Sequence, residues 1–164
     1  MATRVAGYSA WQIGLHWLIA ALVLFQIVFG EAMEEALDAM EENEAISPGD
    51  QFMAGAHYWV GLGILALVVV RVVLRLRNGG PSPAENVALT DRLAQVVHGL
   101  FYVLLFMVPI SGLVAYYQIA DVGDVHKLAK PAFIVLVAIH AGAALWHQFV
   151  VKDNVLLRML KPGA

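Results

Sequence analysis

The chain has 164 residues, 60% of them hydrophobic and only 14% charged, with a mean hydropathy of +0.72. That is more apolar surface than a soluble domain of this size can bury, so a water-soluble globule is excluded. The formal net charge of −3 offers no basic surface, and no nucleic-acid partner is expected. The absence of cysteine excludes disulfides, thiolate metal sites, iron–sulfur clusters and covalent haem attachment.

The apolar residues fall into four blocks, which predict helices over about 10–30, 52–75, 91–119 and 127–151. Each is near the ~20 residues that cross a bilayer core about 30 Å thick. The fold class expected is all-α: an integral membrane four-helix bundle, up-down-up-down, forming a single unit over 1–164 with both termini cytoplasmic. The first block is too long for a signal peptide and no small-residue cleavage motif follows it, so it is read as a retained helix.

Between the first two spans, Glu31, Glu34, Glu35, Asp38, Glu41, Glu42, Glu44 and Asp50 gather within twenty residues. Such a run reads as a solvated loop or short helix, or as a docking surface for a cationic partner. Ser47-Pro48-Gly49-Asp50 is expected to cap the second helix, and Asn78-Gly79-Gly80-Pro81-Ser82-Pro83 to break the chain before the third. Pro109 lies inside the third span, where neighbours can satisfy a freed carbonyl; Pro131 falls in the first turn of the fourth, where no hydrogen bond is lost. With the N-terminus inside, Arg4, Arg71, Arg75, Arg77, Arg92, Lys152, Arg158 and Lys161 are cytoplasmic and only Lys127 and Lys130 face outward. This asymmetry is a positive-inside signal.

All six histidines, His16, His57, His98, His126, His140 and His147, lie within or at the ends of the spans. Ionisable side chains are costly in lipid, so an intramembrane histidine is by default a functional-site hypothesis. Along the fourth helix His126, His140 and His147 share one stripe, and the step from His126 to His140 is about 21 Å of rise. That spacing suits two stacked cofactors. Up-down topology puts His57 at the depth of His126 and His16 at that of His140, which predicts an outer haem between His57 and His126 and an inner haem between His16 and His140. Two imidazoles on one iron leave no open position, favouring electron transfer over oxygen chemistry.

Gly14, Gly55, Gly61 and Gly142, two to four residues from these histidines, are places where a macrocycle can approach the backbone. Arg71 and Arg75 are candidates for haem propionates, with headgroup anchoring as the alternative. His98 and His147, both in the inner half, are candidates for binding a quinone and supplying its protons. Trp11, Trp17, Tyr58, Trp59, Tyr116, Tyr117 and Trp146 read mostly as interfacial belts, with Trp17 and Trp146 next to histidines. Zinc transport fits less well, because zinc wants three or four ligands at one depth.

The runs IGLHWL, GAHYWVGLGILALVVVRVVLRL, VVHGLFYVLLFMVPISGLVAYY, VHKLAKPAFIVLVAIHAGAALWH and WHQFVVKDNVLLRML together resemble the bacterial four-helix cytochrome b561 family over nearly the whole chain. The resemblance implies a multi-pass protein of the bacterial inner membrane with two non-covalent haems b on His16, His57, His126 and His140. One branch of that family is a superoxide oxidase that reduces ubiquinone, with the position of His147 at the quinone site. Superoxide:ubiquinone oxidoreductase is therefore the first functional expectation, and a haem b subunit linking a periplasmic redox protein to the quinone pool the second. One departure bears on the choice. Superoxide is an anion, and the outer side carries eight acids against Lys127 and Lys130. Either these two lysines form a positive spot while the acidic segment points away, or the donor is a cationic protein.

Overall fold

The computed structural model describes residues 8–78, 89–153 and 155–163. Arg4 and the breaker residues at 79–83 lie outside them. Helix α1, Ala10–Phe29, begins at a capping box: Ser9 Oγ accepts the Gln12 N–H at 3.3 Å and the Gln12 side chain accepts the Ser9 N–H at 3.0 Å. After Gly30 the chain turns directly into α2, Glu31–Glu41, so the acidic run is a helix. Helix α3, Pro48–Asn78, starts as expected, with Ser47 Oγ accepting the Asp50 N–H at 3.1 Å and proline at the first helical position. Its 31 residues rise about 46 Å, well beyond a bilayer core, and its far end carries Arg75 and Arg77 on stems that can reach the headgroups. Helix α4 is Leu89–Tyr116.

The fourth span departs from the single helix expected over 127–151. It is built of α5, Gly123–Lys127, and α6, Ala129–Trp146, followed by a π-helical turn, His147–Val151. Pro131 explains the break at Leu128. It cannot donate to the Lys127 carbonyl, and its ring crowds that carbonyl, so the helix restarts there. His126 thus stands on α5, apart from α6, which carries His140 and runs into the π-helical turn that begins at His147. A final 3-10 turn, Leu157–Met159, folds back against α1, where Trp17 Nε1 donates to the Met159 carbonyl at 2.7 Å and the Gly163 N–H to the Tyr8 carbonyl at 3.3 Å.

In cross-section α1 packs on α3, α3 on α4, α4 on α6, and α6 returns to α1, with α2 lying against α3. Ile19, Val23, Ile64, Val68, Leu105 and Phe133 fill the centre, Val68 completely. Outward, large apolar side chains such as Leu24, Val69, Val103, Met107 and Ile139 stay exposed. Among the described residues four helical spans are long and apolar enough to cross a bilayer, and this apolar girdle is what lipid covers; the chain is a multi-pass membrane protein. One end of the bundle holds α2, α5 and the start of α3. The other, the arginine end, holds the start of α1, the end of α3 and the C-terminal segment.

Candidate functional site

The bundle brings the histidines together in two groups. At the α2 end, the His57 and His126 rings lie 6.0 Å apart between centroids, inclined by 78°. Toward the arginine end, His16 and His140 lie 6.1 Å apart, inclined by 64°. Two imidazoles bound to one metal in line, with metal–nitrogen bonds of about 2 Å, have centroids about 6.3 Å apart. Both pairs sit within a few tenths of an ångström of that separation. His98 approaches His140 from another side at 5.2 Å, about 1 Å too close for a metal between the two rings, and it bonds the Ala94 carbonyl of its own helix. Phe101 closes on His140 at 5.3 Å and Trp17 on His16 at 5.4 Å, both edge-on.

The His126 ring is held with particular firmness. Its Nδ1 lies 3.0 Å from the Val108 carbonyl, just before Pro109, and 3.3 Å from Ser111 Oγ, itself 2.9 Å from that carbonyl. The carbonyl can only accept, so Nδ1 carries the ring proton and Nε2 is left for a metal. Gly112 makes room for the ring: a Cβ there would stand 2.8 Å from His126 Cε1. Opposite, Gln26 Nε2 donates to the His57 carbonyl at 2.9 Å, while Gln26 Oε1 and His57 Nδ1 are buried without a hydrogen-bond partner among the described residues. Both residues line a mostly apolar cavity of about 260 Å3 that continues past Val23, Ile64, Leu105 and Phe133 to the inner faces of Glu31 and Glu34. A pair of imidazoles in a mostly apolar cavity, with no third histidine or carboxylate grouped with them as a metal ligand among the described residues, is a donor set that suits haem iron.

The glycines chosen by sequence distance are not those that touch the rings. A Cβ at Gly14, Gly55 or Gly142 would meet nothing within 4 Å, and at Gly61 it would meet Gln26 Nε2 at 3.2 Å. The glycines against the histidine rings are Gly112, at His126, and Gly30, whose Cβ would come 3.5 Å from the His57 ring, each reached across helices, while the open space beside Gly14, Gly55 and Gly142 leaves room for a macrocycle. No period along one helix signals such a contact.

At the arginine end Arg71 reaches inward. It donates to the Gln12 carbonyl at 2.9 Å, and its second nitrogen lies 3.3 Å from His16 Nδ1. Arg75, one turn on, is exposed. His147 meets a residue that sequence reading passes over: its Nδ1 lies 2.5 Å from Asp153 Oδ2. Burial acts to raise the Asp153 carboxyl, but hydrogen bonds from the His147 ring and the Val155 N–H, with Arg158 nearby, hold it below its ordinary value. On a regular helix a residue six positions away lies on a different face, about 9 Å along the axis, so this pairing has no periodic signature. The π-helical turn creates it, closed by Lys152 N–H donating to the His147 carbonyl at 2.7 Å, with Lys152 in the left-handed region at φ 59°. A non-glycine residue held there costs about 1 kcal/mol or more, and such turns gather at functional sites.

The lysines of the α2 end are not free. Lys127 pairs with Glu34 at 2.6 Å and Lys130 with Glu31. The acidic segment does not point away, as the picture of a positive spot over the outer site requires. It folds onto the lysines and neutralises them, because α2 starts directly after α1 and must lie across the mouth of the bundle. The Lys130 ammonium, by hydrogen bond and by charge, holds the Glu31 carboxyl below its ordinary value.

Comparison with known proteins agrees with this architecture. The profile of the family described as prokaryotic cytochrome b561 matches residues 7–162. A protein named cytochrome b562 from Cereibacter sphaeroides is 40% identical, over 98% of this chain and 99% of its own length. The probable superoxide oxidase CybB of Yersinia pestis is 31% identical, over 93% of this chain and 95% of its own. Cytochrome b561 homolog 1 of Escherichia coli is 26% identical, over 93% and 96%. The chain belongs to the prokaryotic cytochrome b561 family, membrane proteins that carry electrons on haem b.

Proposed function

We propose that this cytochrome relays electrons across the bacterial inner membrane, from a donor at the α2 end, facing the periplasm, to ubiquinone at the arginine end beside His147. The observation that carries the reading is the pair of histidine couples, each at the separation that one iron requires and lying toward opposite ends of the bundle. Bound haem b supplies one-electron ferrous–ferric chemistry at each couple. His57 and His126 would hold the outer group, with Val108 and Ser111 fixing the His126 tautomer; His16 and His140 would hold the inner one. The guanidinium of Arg71 has no acceptor, so it faces His16 Nδ1 as a donor. With haem held at His16, the ring nitrogen facing Arg71 would carry the proton, and the guanidinium would be left for an anionic group such as a haem propionate. His98 fits a packing role against His140 better than a ligand role.

Two donors compete. Superoxide is favoured by the 31% identity to a probable superoxide oxidase. A cationic redox protein is favoured by the geometry, since Lys127 and Lys130 are paired while Glu35, Asp38 and Glu42 add further negative charge on and beside α2. We take the protein-fed relay as the better supported of the two. Stopped-flow mixing of the oxidised protein with superoxide, and separately with a reduced cationic cytochrome, decides between them. Fast, salt-sensitive haem reduction by the cytochrome alone supports the relay, and fast reduction by superoxide establishes the oxidase. A pyridine haemochrome value well below two haems b per chain would remove the basis of both.

A further inference from the structure

The backbone beyond Trp146 departs from α-geometry at the point where it brings a carboxylate to His147. The His147 carbonyl receives both the Lys152 N–H at 2.7 Å and the Asp153 N–H at 3.4 Å, which turns the chain back on itself and sets Asp153 Oδ2 at 2.5 Å from the ring. The other carboxylate oxygen accepts the Val155 N–H at 3.2 Å, so both oxygens are committed and the carboxylate cannot swing away. The segment that follows is tied to α1 through Trp17 and Tyr8, next to His16. The side chains of His147 and Asp153 are 26% and 33% exposed, which places the couple at the boundary between the apolar bundle and water. His140 lies two helical turns before His147, about 10 Å of rise away.

A carboxylate only accepts, so it fixes the ring proton on Nδ1 and leaves Nε2 as the exchanging nitrogen, as the aspartate of a hydrolytic triad does for its histidine. We infer that Asp153 is the positioning residue that makes His147 the proton donor to the quinone reduced at this end of the bundle. The inference rests on the relay reading above. Quinone takes up two electrons, delivered singly from the inner haem, and two protons to become quinol. For each proton an Nε2–H bond of protonated His147 breaks and an O–H bond forms on a quinone carbonyl oxygen; His147 then regains its proton from the aqueous side. Asp153 keeps its charge throughout and never touches the quinone.

The test uses the full-length protein with its haems, reduced and mixed in stopped flow with ubiquinone-1 in H2O and in D2O, following haem oxidation. Asp153→Asn is expected to keep the wild-type haem content and spectrum, and a half-saturating quinone concentration within about twofold. Its limiting rate should fall roughly tenfold or more, in the lower range of general acid catalysis, with an enlarged solvent isotope effect. Asp153→Glu, which retains the charge, should recover most of the rate. A wild-type rate and isotope effect in Asp153→Asn, in a protein that His147→Ala does slow, overturns the inference and leaves the relay reading intact. Loss of haem or a raised half-saturation in Asp153→Asn and Asp153→Glu alike shows a merely structural role and also overturns it. Equal rates in the wild type and His147→Ala sink the quinone reading, and the inference with it.

Discussion

Gly112→Ala isolates the outer haem site with a single methyl group. The added carbon would stand 2.8 Å from His126 Cε1, 3.1 Å from Nδ1 and 3.4 Å from Nε2, against ordinary carbon contacts of about 3.5–4.0 Å. The ring must therefore retreat by roughly 1 Å. It cannot do so while keeping both its 3.0 Å contact to the Val108 carbonyl and an iron bond of about 2 Å. Alanine in a helix interior returns about 1 kcal/mol of propensity. Overpacking costs about 1–3 kcal/mol and the lost hydrogen bond about 1. The net is a penalty of roughly 1–3 kcal/mol on haem binding at this couple, or about fivefold to 150-fold weaker retention. The pyridine haemochrome value should fall from two haems per chain toward one, and a potentiometric titration should lose one component. Gly63→Ala, whose Cβ meets nothing within 4 Å, is the control and should keep both. A Gly112→Ala protein with two haems and unshifted potentials would refute the assignment of His126.

Other expectations follow from the same contacts. His57→Leu and His126→Leu should remove the same haem and His16→Leu and His140→Leu the other, whereas His98→Leu should keep both, as read from difference spectra of the purified variants. Replacing Glu31 and Glu34 by glutamine unpairs Lys130 and Lys127; reduction by superoxide should then quicken several-fold at low salt and the gain vanish near 1 M, where charges are screened within about 3 Å. Acid should act in two places with one sign. Because the Glu31 and Asp153 carboxyls are held below their ordinary values, their pairings are fully present above those values, near 4, and are lost as pH falls through the lowered ones. Limited proteolysis of the C-terminal segment should thus accelerate on acidification.

The spans and the histidine couples were readable in the sequence because both depend on one dimension, depth in the bilayer. Counting residues gives depth, and alternating direction then pairs His57 with His126 and His16 with His140. Features that depend on where the chain turns were not readable. Pro131 was placed correctly in a first helical turn, yet that turn belongs to a helix restarted after Leu128, so His126 stands on α5. Asp153 reaches His147 only through a five-residue π-helical turn that no α-helical period describes. Gly112 and Gly30 touch histidines of other helices, and a chain position says nothing of that. The acidic run alone does not say where it lies, and the tertiary fold lays α2 over Lys127 and Lys130.

The order of helices around the bundle gives the histidine couples a second meaning. In the ring α1, α3, α4, α6, the couple His16–His140 spans the side where α6 returns to α1, and His57–His126 ties α3 across the middle to α5 at the head of α6. If each couple holds an iron as proposed, it would cross-link segments far apart in sequence, in a chain that has no cysteine to make a disulfide. Haem then stabilises the assembled bundle by mass action, in proportion to the logarithm of its free concentration over its dissociation constant. On that proposal, the amount of this protein that persists in a membrane would follow the haem available to it.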